Sequence, residues 1–274
     1  MSQSTIHSTL SFEHPCFSNH GARVARMHLA VAPYCNIKCA FCRPTVNPCI
    51  HGCAPGLANE ILTPQQALEH LRRVRESGID IRIVGIAGPG EPLANPETFE
   101  TLRLIKAEYP QIHLCLSTNG LFLPEQASRL AQLGVETLTV TVNAHTPNVA
   151  VHIYEHVSGE RGENAVRRLL ERQRTGVKEA VKAGMVVKIN SVYVPGINDD
   201  DILQISREMR AIGATLQNIL PVIARDTMAK VTPPDAEQLE QMRERCGVNL
   251  EQFVRCKHCR ADAIVDAEPS CAGK

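Results

Sequence analysis

A chain of 274 residues is long enough for one barrel-sized domain with a substantial core. Its 29 Lys and Arg balance 29 Asp and Glu, so no global field argues for nucleic acid or an anionic membrane. No apolar run is long enough to span a bilayer and no charged-then-apolar leader opens the chain, so its eleven cysteines are expected in a reducing cytoplasm, bound to metal rather than paired as disulfides.

Met27–Ala32 predicts a strand that delivers a cysteine loop. Thr63 and Pro64 open a helix as N-cap and first helical residue; it runs to about Ser77, with Gly78 as its stop. Ile81–Ile86 is the second strand, followed by a helix near Glu97–Glu108. Ile112–Leu116 is the third, with a helix near Glu125–Leu133 and Gly134 after it. Thr137–Val142 is the fourth, before a longer helical region at roughly Gly162–Ala183. Met185–Val194, a helix over Asp201–Ala211 and a sixth strand at Gln217–Val222 complete the series. Near-continuous apolar strands alternating with helices imply a buried parallel sheet. Right-handed crossovers then close it, in part or in full, into a TIM-type (β/α) barrel with ligands at the C-terminal strand ends. The expected organisation is an N-terminal extension over 1–26, the barrel over 27–222 and a C-terminal extension over 223–274, both extensions carrying cysteines.

After the first strand comes Cys35-Asn36-Ile37-Lys38-Cys39-Ala40-Phe41-Cys42, a C-x3-C-x2-C triplet. Three thiolates this close on one loop can hold three irons of a [4Fe–4S] cluster and leave the fourth iron to chelate S-adenosylmethionine (SAM). Zinc sites usually pair C-x2-C units and fit this triplet poorly. The second strand runs into Gly88-Pro89-Gly90-Glu91-Pro92, which is either a plain turn or a close-approach segment. In the second case Glu91 accepts hydrogen bonds from the amino group of the methionine moiety. Ser117, Thr118 and Asn119 end the third strand and Asn143 the fourth. Each suits ribose hydroxyls or the SAM carboxylate as well as it suits a helix cap or turn. Val194–Asn198 would suit adenine. Cys115 is either a small buried hydrophobe or a neighbour of the SAM pocket. Cys256 and Cys259 form a C-x2-C for which zinc, with Cys49 and Cys53 as partners, is the plainer reading.

The triplet, with Phe41 before its third cysteine, matches the radical-SAM signature, and the chain as a whole resembles the NifB family. The strings that carry the likeness are His14–Ser18, Ala25–Pro33, the triplet, Gly85–Pro96, Cys115–Leu121, Leu170–Gln173, Lys188–Val192, Pro195–Asp199 and Cys256–Ala263. This resemblance implies two further [4Fe–4S] clusters beside the SAM cluster, with Cys16, Cys49, Cys115, Cys256 and Cys259 matching the ligand motifs. It also implies a histidine ligand, with His14 and His20 the candidates and His28 ranked behind them because it sits near the start of the first strand. The segment 43–56 departs from the family pattern, with one residue inserted and Cys53 added. The implied reaction fuses two [4Fe–4S] units with a SAM-derived carbide and an added sulfur into the [8Fe–9S–C] precursor of the nitrogenase cofactor. Implied partners are SAM, iron–sulfur donors, an electron donor and downstream cofactor scaffold proteins, with neither nucleic acid nor membrane among them. The rivals are a radical-SAM enzyme with auxiliary clusters acting on a peptide or small molecule, and a non-enzymatic iron–sulfur carrier.

Overall fold

The computed structural model describes residues 14–19, 24–50, 52–256 and 258–265. In chain order its strands are β1 (Ala25–His28), β2 (Ile37–Cys39), β3 (Thr45–Val46), β4 (Leu57–Ala58), β5 (Ile81–Ile86) and β6 (His113–Thr118). They continue as β7 (Val135–Thr141), β8 (Tyr154–Val157), β9 (Val186–Tyr193), β10 (Leu216–Pro221), β11 (Glu251–Gln252) and β12 (Ile264–Val265). The helices are α1 (Pro64–Glu76), α2 (Pro96–Glu108), α3 (Leu123–Gln132), α4 (Pro147–Ile153), α5 (Glu163–Lys182), α6 (Asp199–Ala211) and α7 (Ala236–Gly247).

Eight strands form one sheet in the order β11-β10-β9-β7-β6-β5-β1-β12. All neighbours are parallel except β12, which runs antiparallel to β1. All six predicted strands are therefore present, with helices packed on the outer face. Among the described residues the sheet does not join β11 to β12, so the barrel is partial. Both edge strands come from the C-terminal segment.

Alternation along the strands separates a core from a working face. Met27, Val84, Leu114, Leu138, Val140, Val187 and Ile189 pack outward under the helices as one apolar cluster. Arg26, His28, Cys115, Ser117, Thr139, Lys188, Asn190 and Asn218 instead line an interior cavity. The strands are thus less uniformly apolar than the sequence reading held, because β1, β6, β7, β9 and β10 turn polar groups into the barrel lumen.

Local chemistry sets the helix ends. The Thr63 hydroxyl accepts from the Gln66 amide at 3.3 Å while the Gln66 side chain accepts from the Thr63 amide at 2.9 Å, a reciprocal cap that launches α1. Asp235 and Gln238 repeat the device at α7, which the sequence reading left unassigned. It also left out α4 and β8, a helix–strand unit that backs the cysteine loop. Among the described residues no helix is long and apolar enough to cross a membrane.

Candidate functional site

The cysteine loop is held from behind. Its middle forms β2, which pairs antiparallel with β8, Cys39 lying opposite Tyr154. The Ala40 amide donates to the Ile153 carbonyl at 2.8 Å, the Ser158 amide to the Asn36 carbonyl at 2.7 Å, and Lys38 Nζ to the Cys42 carbonyl at 2.7 Å. This scaffold turns Cys35, Cys39 and Cys42 into one cavity of about 240 Å³. Burial pushes the Cys35 thiol up to about 12 and raises Cys39 and Cys42 too. Thiols so hard to ionise in a neutral protein become thiolates when a metal takes the proton's place.

Glu91 stands on the wall of the same cavity. Gly90 brings it there, since a side chain at that position would collide with the Tyr34 carbonyl oxygen. The Gly90 amide donates to the Ala32 carbonyl at 2.7 Å and the Glu91 amide to the Tyr34 carbonyl at 2.8 Å, which locks this segment to the stretch between β1 and the triplet. The carboxylate accepts from Thr118 Oγ1 at 2.5 Å, the Leu93 amide at 3.0 Å and the Asn119 amide at 2.6 Å. Burial still pushes it up to about 7, and those three donors pull the other way. Three bonds leave room on the carboxylate for one further donor.

Thr118 and Asn119, expected at the ligand, line the triplet cavity and also bond to its own walls. Thr118 Oγ1 also accepts from the Gly120 amide at 3.0 Å. Asn119 gives its side-chain amide to Asn36 at 2.7 Å and accepts from the Leu121 amide at 2.9 Å. Their work in this structure is to set Glu91 and the triplet loop. Asn143 keeps a free group: its Oδ1 accepts from the Val192 amide at 2.9 Å, while its buried Nδ2 has no partner. Asn198 does not face the cavity; it is fully buried and donates to the Asn143 and Val192 carbonyls at 2.9 and 2.8 Å.

A second cavity, of about 340 Å³, adjoins the first. The two share Pro55, Ala87, Ser117, Asn190, Leu220 and His258 as lining. Cys16, Cys115, Cys256 and Cys259 all reach this second cavity, as does His14. Burial pushes Cys115 up to about 12 and raises Cys259. His28, ranked last from the sequence because the first strand was read as continuing to Ala32, lines it as well. The strand ends at His28, and register explains the placement: His28 pairs with Gly85, and Gly85 with Cys115. A side chain at Gly85 would lie 2.5 Å from Cys115 Sγ and 2.9 Å from the His28 ring, so the glycine lets the two side chains meet above it. Gly85→Ala is expected to destabilise the chain by about 1–3 kcal/mol through overpacking. Thermal unfolding should show that cost, and iron counting should show a loss confined to the second cavity.

His20 lies outside the described residues. Cys49 and Cys53 are exposed and line neither cavity. Their loop is drawn outward by β3–β4 pairing and by Arg260, whose Nη1 donates to the Ile50 carbonyl at 2.8 Å. Among the described residues no three His, Cys, Asp or Glu converge on a single-ion site; the donors are distributed around two chambers. Sequence reasoning missed Arg26, Lys188 and Gly85. The signal for the first two was a charge inside an otherwise apolar strand.

A profile of the Radical SAM superfamily matches residues 29–209. The FeMo cofactor biosynthesis protein NifB of Klebsiella pneumoniae is 46% identical over 263 residues, which is 92% of this chain and 56% of that protein. Its namesake in Methanocaldococcus jannaschii is 41% identical over 258 residues, 92% of this chain and 85% of that protein. That of Azotobacter vinelandii is 36% identical, and the chain spans 52% of its length. Among solved structures, a radical SAM methyltransferase from Sphaerobacter thermophilus aligns with a TM-score of 0.57 at 21% identity, covering 84% of this chain and 64% of that one. Streptococcus suis SuiB aligns with a TM-score of 0.61 at 16% identity, covering 91% and 53%. At those identities the two structures speak for the fold.

Proposed function

The chain belongs to the radical SAM superfamily and, within it, to the NifB family, and from that premise we propose that it is an enzyme of nitrogenase-cofactor assembly whose two chambers divide the work. The first binds SAM at a resident [4Fe–4S] cluster. The second holds two [4Fe–4S] units as substrates, which are fused with a SAM-derived carbon and an added sulfur into an [8Fe–9S–C] product. Its partners are then an electron donor, iron–sulfur donors and scaffold proteins that receive the product.

One observation carries this reading. Two adjoining cavities each gather cysteines, the first from a single loop and the second from three separate segments, and among the described residues only the first has a carboxylate, Glu91, on its wall. The residues fit the groups assigned to them. Cys35, Cys39 and Cys42 supply three thiolates and no fourth protein ligand, and the resident cluster, when bound, supplies the electron for reductive cleavage of SAM. Glu91 takes the SAM ammonium, and Asn143 Nδ2, a buried donor without a partner, is suited to the SAM carboxylate. Cys16, Cys115, Cys256 and Cys259 serve the substrate units.

The imidazole ligand is His28. Its Nδ1 lies 3.1 Å from the Arg260 carbonyl, so that nitrogen carries the proton and Nε2 keeps its lone pair. Burial, and then Arg26, push His28 down to about 3, which keeps it neutral. His14 has the other tautomer: its Nδ1 accepts from the Cys16 amide at 3.0 Å, which leaves the proton on Nε2. His28→Ala should therefore alter the EPR signal of a substrate cluster and His14→Ala should leave its ligation unchanged; the reverse pattern refutes the assignment.

Anaerobic reconstitution tests the whole reading. It predicts about twelve irons per chain from three four-iron clusters, and 5′-deoxyadenosine formed with iron, sulfide, reductant and SAM alone. Four irons, or a need for an added peptide or small-molecule substrate, would defeat it.

A further inference from the structure

Arg26 and Lys188 face the second chamber at 2% and 3% exposure, and among the described residues no Asp or Glu lines that chamber with them. A cation removed from water is costly unless an anion or polarisable acceptor meets it. Arg26 meets sulfur. Its Nη1 donates to Cys16 Sγ at 2.5 Å and its Nη2 to Cys259 Sγ at 3.3 Å, while its buried Nε has no partner. Lys188 donates to the Cys16 carbonyl at 2.7 Å and lies 4.8 Å from the ring centres of both Phe17 and Phe253. Two cations from opposite sides of the sheet, β1 and β9, thus stitch the N-terminal segment to the C-terminal one above the lumen. The planar fork addresses two sulfurs in one fixed geometry, which the compact, rotating ammonium of lysine reproduces only in part.

We propose that Arg26 is a positioning residue for the substrate clusters. Its guanidinium brings one sulfur ligand from each end of the chain into the chamber and favours the reduced state of the unit they hold. The proposal rests on reading that chamber as cluster-holding. N–H···S bonds and a fixed positive charge stabilise the added electron more than the oxidised cluster, which raises the reduction potential. The step is one electron from an external low-potential reductant to [4Fe–4S]2+, giving [4Fe–4S]+.

The test compares reconstituted wild-type chain with Arg26→Gln and Arg26→Lys by iron counting and by dithionite titration followed by EPR. The SAM-cluster signal serves as an internal gauge of folding. Expected for Arg26→Gln is a reduction constant about tenfold less favourable for a second-chamber cluster, which is 59 mV for a one-electron couple, or loss of second-chamber iron alone. Arg26→Lys should fall between. Full iron and a reduction constant within twofold of wild type in both variants would overturn the proposal. If Arg26→Gln also loses the SAM-cluster signal it has misfolded, and Arg26→Lys decides by the same two readings. Four irons in the wild-type chain would remove the chamber reading itself, a distinct outcome.

Discussion

Cys39→Ala is expected to lose one cluster of three and all SAM cleavage while keeping the fold. Cys39 is the triplet member carried on a strand, and it sits opposite Tyr154 where β2 and β8 pair. Removing its sulfur leaves Cys35 and Cys42 to hold a cube that needs three anchors. The backbone bonds that shape the loop, Ala40 to Ile153 and Ser158 to Asn36, do not involve the side chain and should survive. The measurement is iron per chain together with 5′-deoxyadenosine yield: about four irons fewer, and a yield at background. A variant that keeps SAM cleavage would show that the triplet is not the seat of the chemistry. Loading itself should quicken as pH rises. Burial places Cys35 at about 12 and lifts its two companions, so each iron must displace protons that the folded chain holds tightly.

Glu91→Gln is expected to weaken SAM binding by about 100-fold, the ~3 kcal/mol typical of a buried charge pair that loses one partner. Glutamine keeps the shape but removes the charge and turns one oxygen into a donor, which then faces the Asn119 amide. The native carboxyl adds a pH signature. Burial raises it to about 7, so its anion is depleted as pH falls through 7 and SAM affinity falls with it. The decline should approach tenfold per pH unit below that point. The same shift acts oppositely on the unliganded fold: a raised carboxyl favours folding at low pH, and that contribution is lost as pH climbs through 7. Calorimetric titrations with SAM from pH 6 to 8 check both the magnitude and the slope. An affinity independent of pH, or one unaffected by the substitution, would remove Glu91 from the SAM site.

Much of this was legible. Period, caps and glycine stops located six strands and their helices to within a few residues, and the triplet and Glu91, singled out from motif and strand position, line one cavity. What stayed hidden has physical causes. Strands of two residues, such as β11 and β12, carry no periodicity to detect and exist because a longer neighbour offers them an edge. His28 was set aside because position along a strand is a poor guide to depth; cross-strand register, which pairs it with Gly85 and then Cys115, decides its company. Arg26 and Lys188 break apolar runs, and a charge in such a run is a readable anomaly once the lumen is known to be polar. Cys49 matched a ligand motif through the family resemblance, in a segment altered by one inserted residue, and it is exposed to solvent here.

The tail that supplies Cys256 and Cys259 also supplies both outermost strands. β11 shields the free side of β10, and β12 shields that of β1. A chain shortened ahead of Glu251 would bare both rims at once, each offering unsatisfied amides and carbonyls to any other molecule it meets. Such a truncation should self-associate, which size-exclusion chromatography would show, so this short terminal stretch covers two sheet edges as well as donating thiols.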